Sequence, residues 1–321
     1  MGSMPVHPAG EKRHPRPLHL PAMPARLKPS PRSPRRSVGR LAAAMLVAAL
    51  GCARAAVPEA ASAQESAAPP SPSASVPAAP SAVRPDCSRP LSLGLHEHGL
   101  LYTAQTGEGI DKDLADEMTR RSGCRITLTV LPRARIWQLI ETGALDFTLS
   151  GITNPQRDKF AAFAWYVSNK YYLLVRRDAD VRSAHDFLRK HNLRLGLIRS
   201  FRYGDQANQF VDTLESEERI TYAGSLDPLY TILLDDGIQA MVIEPFDFPV
   251  IAGAQLKAQT SILEFGDPSV PHGLVMSRKS LSAPQQQAWR DIILAMRADG
   301  TVRHIFEKYF PADLARQMTQ F

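Results

Sequence analysis

The feature that most constrains this fold is an alternation of short apolar segments with amphipathic segments, which begins at Leu91. Short apolar runs are typical of buried strands, and apolar residues at i, i+3 and i+4 are typical of the helices that cover them. The order strand, helix, strand, helix, strand favours a parallel sheet, because parallel strands need a long crossover connection. The predicted elements are strands over Leu91–Leu95, Ile126–Leu131 and Phe147–Ser150 and helices over Asp111–Ser122 and Ala134–Thr142.

A second alternation of the same kind follows a strand over Tyr171–Arg176 that leads out of the first unit. Its predicted elements are helices over Ala184–His191, Asp205–Glu215 and Leu226–Asp235 and strands over Arg194–Ile198, Arg219–Tyr222 and Ala240–Ile243. A strand over His272–Ser277 and helices over Pro284–Asp299 and Thr301–Tyr309 complete the pattern. We therefore expect an α/β protein with two lobes.

The first 90 residues cannot build a comparable core. None of the 23 aromatic residues precedes Tyr102, and 17 of the 26 prolines lie before residue 91. The charge divides in the same way, since residues 1–56 carry ten Lys or Arg and one acidic residue, whereas residues 57–321 carry a net charge of −3. The folded part is therefore slightly acidic, and no nucleic-acid partner is expected.

The 1–56 segment has the layout of an export signal. Its apolar run, Leu41–Ala53, has 13 residues, which suits a signal peptide and is too short to span a bilayer. The run ends in Ala-Leu-Gly-Cys, which is similar to a bacterial lipobox and would place a lipid on Cys52. Ala53-Arg54-Ala55 and Ala61-Ser62-Ala63 offer ordinary cleavage instead. Both alternatives predict the periplasm, with membrane contact only through a lipid on the cysteine.

Residues 57–85 are rich in Ala, Pro and Ser, a composition typical of a disordered linker. Of the three cysteines, Cys52 would be lipidated or removed with the signal, which leaves Cys87 and Cys124 as a pair. Each precedes a predicted strand, and neighbouring parallel strands would bring the two close enough for a disulfide. An oxidising compartment permits that bond, and two free buried thiols are the alternative.

The strongest candidate for a binding site follows the strand that ends before Gly151, at the carboxyl edge where parallel sheets bind ligands. Asn154 suits a helix N-cap and Pro155 suits the first helical position. Free N–H groups at such a helix start are expected to bind an anion. Arg157, one turn further, can hold a carboxylate through two parallel hydrogen bonds. The alternative is that Arg157 pairs with the surface acid Asp158.

Five motifs recur in an order and spacing that resemble a known family. They are Gly109–Ala115, Gly143–Asp146, Gly151–Arg157, Phe163–Tyr166 and Asp299–Thr301. The chain from about Leu91 to Phe310 resembles the periplasmic solute-binding proteins of family 3, which serve polar amino-acid ABC importers.

The resemblance implies a periplasmic-binding-protein type II-like fold, in which two α/β lobes joined by a two-strand hinge close on a ligand. The first lobe would comprise residues 86–178 and 269–321, and the second lobe residues 179–268. The two crossings would then fall near Arg176–Asp180 and Gly266–His272.

The family's site carries over to named positions in the first lobe. Arg157 would hold the ligand's α-carboxylate, and Gly151, Ile152 and Thr153 would contact it. Tyr102 lies in the loop after the first strand, where the family often stacks a side chain on the ligand, and packing in the core is the alternative.

The second lobe departs from the family. Where the family has a small Gly/Thr-rich turn, this sequence has Ser200, Arg202 and Tyr203, of which Ser200 and Tyr203 are candidate ligand contacts. Glu244 stands where the family has the aspartate that binds the ligand's ammonium, and Asp247 is a competing candidate. These departures weaken the expectation that the ligand is a standard α-amino acid. The expectation of a small polar solute is unchanged.

His96 and His98 would share one face at the end of the first strand. No third ligand is placed by the sequence, so no metal is expected, and no cofactor either. Trp137 and Trp165 are expected to pack in the core.

The expected function is binding of a small polar, carboxylate-bearing solute, an amino acid or a derivative, by hinge closure. The protein would be a monomer that delivers the solute to ABC transporter permease subunits. One alternative is a dehydratase-like enzyme on the same fold, with Glu244 as its acid or base. Another is a ligand-sensing module without a transport role. The sequence has no G-x-S-x-G, Walker or nucleophilic Cys–His pattern, so an enzyme is not expected.

Overall fold

The computed structural model describes residues 84–321. The predictions for the export signal, for Cys52 and for nearly all of the linker fall outside these residues. No helix within 84–321 combines the length and apolar character needed to cross a membrane.

The described residues form ten strands and ten α-helices, numbered here in chain order. The strands are β1 (Leu91–Leu95), β2 (Ile126–Val130), β3 (Phe147–Gly151), β4 (Ala161–Asn169), β5 (Tyr172–Arg176), β6 (Leu195–Ile198), β7 (Ile220–Ala223), β8 (Ala240–Ile243), β9 (Thr260–Glu264) and β10 (Val270–Ser277). The helices are α1 (Ile110–Ser122), α2 (Arg133–Thr142), α3 (Ala184–Arg189), α4 (Asp205–Ser216), α5 (Leu226–Leu234), α6 (Phe248–Ile251), α7 (Ala254–Gln259), α8 (Ala283–Ala298), α9 (Thr301–Glu307) and α10 (Ala312–Thr319).

The first lobe is built on a five-stranded sheet in the order β2-β1-β3-β10-β4. Strands β1, β2 and β3 are parallel, as the alternating pattern predicts, and β10 runs antiparallel to β3 and β4. Leu91, Leu93 and Leu95 of β1 belong to a buried core with residues of α1, α8 and α9. The opposite face packs against α2 through a smaller apolar cluster that includes Ile136 and Val275. The sheet is therefore buried on both faces, as parallel sheets are.

The second lobe has its own five-stranded sheet, in the order β7-β6-β8-β5-β9. Strand β5 pairs antiparallel with β8 and β9, so residues 172–176 belong to this lobe. The predicted first crossing near Arg176–Asp180, and with it the lobe boundary at 178, is corrected to Lys170–Tyr171. The reason is β4, an unpredicted buried strand whose last residue, Asn169, is separated from β5 by only two residues.

The predicted disulfide between Cys87 and Cys124 is confirmed, and the alternative of free thiols is excluded. The two Cα atoms lie 4.8 Å apart, beside the starts of the paired strands β1 and β2. The bond therefore fastens the N-terminal end of the described chain to the edge of the first sheet.

Candidate ligand site between the two lobes

The segment after β3 does not form the predicted helix. Residues Arg157–Lys159 make a single 3₁₀ turn, and β4 begins at Ala161. The N-cap position of this turn is Gln156, not the predicted Asn154, although the Asn154 side-chain oxygen accepts a hydrogen bond of 2.8 Å from the backbone N–H of Arg157. The expected helix-start anion site is therefore wrong, because one turn carries no substantial helix dipole. Any anion binding here rests on the guanidinium.

Arg157 lies buried at the contact between the lobes. It donates one hydrogen bond of 2.9 Å to the carbonyl of Ile152 and another of 2.9 Å to the carbonyl of Ser200 in the second lobe. Its guanidinium carbon lies 3.8 Å from the ring centroid of Trp137, a cation–π contact. The alternative pairing with Asp158 does not form, because that carboxylate accepts a hydrogen bond from Thr153 instead.

Arg133 is a second buried guanidinium that the sequence analysis did not assign to the site. It opens α2 and donates to the Thr148 hydroxyl and the Leu149 carbonyl, each at 3.2 Å, and to the Ser150 carbonyl at 3.1 Å. The sequence signal that could have identified Arg133 is its position between a predicted strand and a predicted helix. That position lies at the same sheet edge as Gly151.

Neither guanidinium has an acidic partner among residues 84–321 within the 4.0 Å ion-pair distance. Burial, together with the nearby charge of Arg133, lowers the pKa of Arg157 to about 9. Burial likewise lowers the pKa of Arg133. Two buried cations held on carbonyl groups leave a local excess of positive charge, which an anion would offset.

A small cavity of about 10 Å³ lies beside these guanidiniums. It draws its lining from both lobes and from the hinge. The lining residues are His96, Leu101, Arg133, Ser150, Ile152, Arg157, Tyr171, Phe201, Arg202, Glu244 and His272. Wider spaces flank it, one of about 600 Å³ next to Trp137 and Arg202 and one of about 300 Å³ next to Tyr102 and Tyr230.

Glu244 and Asp247 follow β8 in the second lobe and are both buried. The Asp247 carboxylate accepts a hydrogen bond of 3.0 Å from the backbone N–H of Glu244. Oε1 of Glu244 lies 2.8 Å from Nε2 of His98 in the first lobe, and Oδ1 of Asp247 lies 3.5 Å from the same nitrogen. Oε2 of Glu244 accepts a hydrogen bond of 2.7 Å from the side-chain amide of Asn169.

These contacts set the protonation of the group. Burial alone would lower the pKa of His98, but the charges of Asp247 and Glu244 outweigh it and raise that pKa. Burial alone would raise the pKa of Glu244, but His98 and its other partners hold it below its usual range. Burial, together with the charge of Glu244, raises the pKa of Asp247. At a pH below the raised pKa of His98, the pair of His98 and Glu244 is therefore an imidazolium with a carboxylate.

Tyr171 stands at the first chain crossing, and His272 lies in β10, shortly after the second. Nδ1 of His272 lies 2.8 Å from the carbonyl of Val270, which only accepts, so this nitrogen carries the proton. Nε2 then accepts a hydrogen bond of 2.7 Å from the Tyr171 hydroxyl. Burial lowers the pKa of His272, so its ring is neutral. His96 is neutral too, because burial and Arg133 hold its pKa far below the usual value.

Two further predicted residues, Ser200 and Gly151, lie next to residues that line the cavity. The exposed Ser200 contributes its backbone carbonyl, through the bond to Arg157. Gly151 permits close packing, since a Cβ there would lie 2.2 Å from Val275 and 3.3 Å from Trp137.

Of the nine predicted contacts, Ile152, Arg157 and Glu244 line the 10 Å³ cavity and the other six do not. Besides Gly151, Ser200 and Asp247, these are Thr153, Tyr203 and Tyr102. Thr153 is exposed and bonded to Asp158. Tyr203 is buried in the second lobe's core against Tyr171, and Tyr102 lines the 300 Å³ space.

Several groups that complete the site were not predicted from the sequence, namely Arg133, His98 as a partner of Glu244, Asn169, Tyr171, Phe201 and His272. Trp137 packs in the core as expected and also carries Arg157 on its ring, whereas Trp165 is half-buried and stacks on Phe163. Across residues 84–321 no group of three or more His, Cys, Asp or Glu side chains is arranged to hold a metal ion. The rings of His96 and His98 lie 5.5 Å apart by centroid.

Comparison with known proteins gives a consistent result. Residues 98–312 match the family model described as bacterial extracellular solute-binding proteins, family 3. No curated protein sequence matches the chain.

Solved structures share the fold. An ancestral arginine-binding protein bound to arginine has a TM-score of 0.59 at 16% identity, over 70% of this chain and 100% of that one. The arginine-, lysine-, histidine-binding protein ArtJ from Geobacillus stearothermophilus has a TM-score of 0.58 at 16% identity, over 69% and 95%. A histidine kinase sensor domain has a TM-score of 0.59 at 12% identity, over 70% and 96%. The predicted fold class, periplasmic-binding-protein type II-like, is confirmed.

Proposed function

The chain belongs to family 3 of the bacterial extracellular solute-binding proteins, and we propose that the solute it binds carries a carboxylate. The observation that supports this is the pair of buried guanidiniums, Arg133 and Arg157, beside one cavity. Burying a cation without a counter-ion is costly, and the planar guanidinium matches a carboxylate with two parallel hydrogen bonds. A bound carboxylate would offset that cost, so the ligand's charge and the site's charge are complementary.

The solute would bind between the lobes and close them about the crossings at Lys170–Tyr171 and residues 265–269. The bond between Arg157 and the Ser200 carbonyl and the contact between His98 and Glu244 already span the two lobes, and a bound acid would add a further link. The solute would be bound and released unchanged, in the periplasm. Whether the export segment is cleaved or lipidated at Cys52 does not alter this site.

Delivery to an ABC importer is the favoured role, with the protein acting as a monomer. Similar structures support it, among them an ABC uptake transporter substrate-binding protein from Streptococcus pneumoniae with bound histidine. The similar fold of a histidine kinase sensor domain supports sensing as the second candidate. Loss of uptake of the bound acid in a deletion strain would support delivery, whereas intact uptake with a lost transcriptional response would support sensing.

The binding proposal is tested by melting the purified protein with a panel of small carboxylic acids, amino acids and polyamines. An acid that raises the melting temperature, and is recovered chemically unchanged, supports the proposal. Stabilisation by polyamines alone would contradict the carboxylate assignment. Conversion of the acid into a product would replace binding with the dehydratase-like alternative.

A further inference from the structure

Glu244 stands where the family resemblance places the group that binds a ligand's ammonium. In this chain both oxygens of that carboxylate are already engaged. Oε1 lies 2.8 Å from the His98 imidazole, and Oε2 accepts the Asn169 amide hydrogen bond at 2.7 Å. His272 lies 3.7 Å from Oε2 as a further neighbour. Each oxygen of the Glu244 carboxylate therefore has a protein partner within 3 Å.

The partners of Glu244 are fixed by the packing around them. The Phe201 ring stacks on the His98 ring, with centroids 5.2 Å apart. Glu244 is 4% exposed and His98 is 4% exposed, so neither side chain can turn into water. A ligand ammonium would have to displace His98 from its 2.8 Å contact with Glu244 and leave it only the longer 3.5 Å contact with Asp247, which is unfavourable for a buried charge.

The distribution of charge in the site also argues against binding of a ligand ammonium. On the acidic side, His98 supplies a positive charge next to Glu244 and Asp247. On the basic side, Arg133 and Arg157 bond only to carbonyl and hydroxyl groups. The charge of Asp111 also acts on Arg133, but the Asp111 carboxylate accepts a hydrogen bond of 2.7 Å from the Ser150 hydroxyl and forms no ion pair with Arg133. The described contacts therefore leave Arg133 and Arg157 without an ion-paired carboxylate, whereas the Glu244 carboxylate has a partner in His98.

We propose that the ligand is an organic acid without an α-ammonium group, such as a simple, keto or hydroxy carboxylic acid, and that His98 occupies the place of the ammonium. This rests on the proposed function, since it takes the carboxylate site at Arg133 and Arg157 as given. It adds the substrate class, which distinguishes this chain from the similar proteins that bind arginine or histidine.

The test uses matched pairs of acids that differ only in the α-amino group. Isothermal titration calorimetry of the purified protein would compare glutarate with L-glutamate, propionate with L-alanine, and 3-phenylpropionate with L-phenylalanine. We expect the member without the amino group to bind at least tenfold more tightly in every pair that binds. Equal or tighter binding of the amino acids would overturn this inference and leave carboxylate binding intact. If no member of any pair binds, the proposed function fails, and the inference fails with it.

A variant tests the role of His98 directly. His98→Ala would free Glu244 for an ammonium, so the preference within each pair should shift at least tenfold toward the amino acid. The matched control is His304→Ala, a highly exposed histidine of the same lobe, which should leave the preference unchanged. A folded His98→Ala protein with an unchanged preference would overturn the assignment of His98. If that variant does not fold, the wild-type pairs still decide the substrate class.

Discussion

His98 of the first lobe and Glu244 of the second lie 2.8 Å apart, nitrogen to oxygen, with both side chains buried. This ion pair joins the lobes close to the hinge, because Glu244 directly follows β8, whose last residue pairs with the first residue of β5. A contact of this kind couples the protonation of one imidazole to the stability of the whole interface.

The stability contributed by this pair should depend on pH. The pKa of His98 is raised in the folded protein, so its contribution is complete below about 6.5, the value of an unfolded histidine, and is lost as the pH rises through the folded-state pKa. At pH 6 we expect His98→Gln to lower the free energy of unfolding by about 3 kcal/mol. The difference from wild type should shrink toward pH 9 in urea denaturation. A difference that is constant over this range would contradict the imidazolium assignment, and His304→Gln serves as the exposed control.

Phe246 should contribute strongly to stability although it belongs to a turn of the second lobe. Its ring is fully buried in the first lobe's core, 6.3 Å from the Phe306 centroid and 5.8 Å from that of Phe310. We expect Phe246→Ala to lower the free energy of unfolding by about 3–5 kcal/mol. Val250→Ala, at a nearby side chain that is 44% exposed, should change it by less than about 0.5 kcal/mol. Urea denaturation measures both, and equal effects would argue against this packing.

The two guanidiniums should be required for binding an acid. Removing the charge of Arg157 or Arg133 with Gln should weaken binding of the best carboxylate found in the panel by at least about 100-fold, which corresponds to losing one buried charged hydrogen-bonding group. Arg135→Gln is the matched control, because Arg135 is exposed on the same helix. Calorimetry gives the affinities, and an unaltered affinity in both site variants would place the anion elsewhere.

The disulfide should stabilise the first lobe. Cys87 and Cys124 are 37 residues apart in sequence, so the loop-closure model predicts a loss of about 4 kcal/mol in the Cys87→Ser/Cys124→Ser variant. Alkylation followed by mass measurement of the exported wild type should detect no free thiol at either position. Two alkylated cysteines without prior reduction would refute the bond.

Gly151 should tolerate no side chain. A Cβ there would lie 2.2 Å from Val275 Cγ2 and 3.3 Å from Trp137, whose ring supports Arg157. Gly151→Ala should therefore cost about 1–3 kcal/mol of stability and weaken binding of the carboxylate. Gly224→Ala is the control, because no atom lies within 4 Å of its added Cβ. Wild-type behaviour of both variants in thermal melting and calorimetry would show that the strand end is less tightly packed.

The fold was largely predictable because hydrophobic periodicity is a local property. Strands β1, β3, β6 and β8 and helices α1 and α2 lie close to their predicted spans. Strand β4 was missed, since Ala161–Asn169 mixes small, aromatic and polar residues without a clear alternation. Its burial comes from pairing with β10, a strand roughly a hundred residues later, and no local pattern encodes such a partner.

The sequence by itself determined the two-lobed α/β class, the family, the cysteine pair and the position of Arg157, because each follows from periodicity, motif spacing or residue chemistry within a short segment. Only the tertiary structure decided the lobe boundary at Lys170–Tyr171, the second guanidinium of Arg133, and the engagement of Glu244 by His98 and Asn169. The physical reason is that the charge available to a ligand depends on which buried groups neutralise one another. Those groups come from segments far apart in the chain, and only packing brings them together.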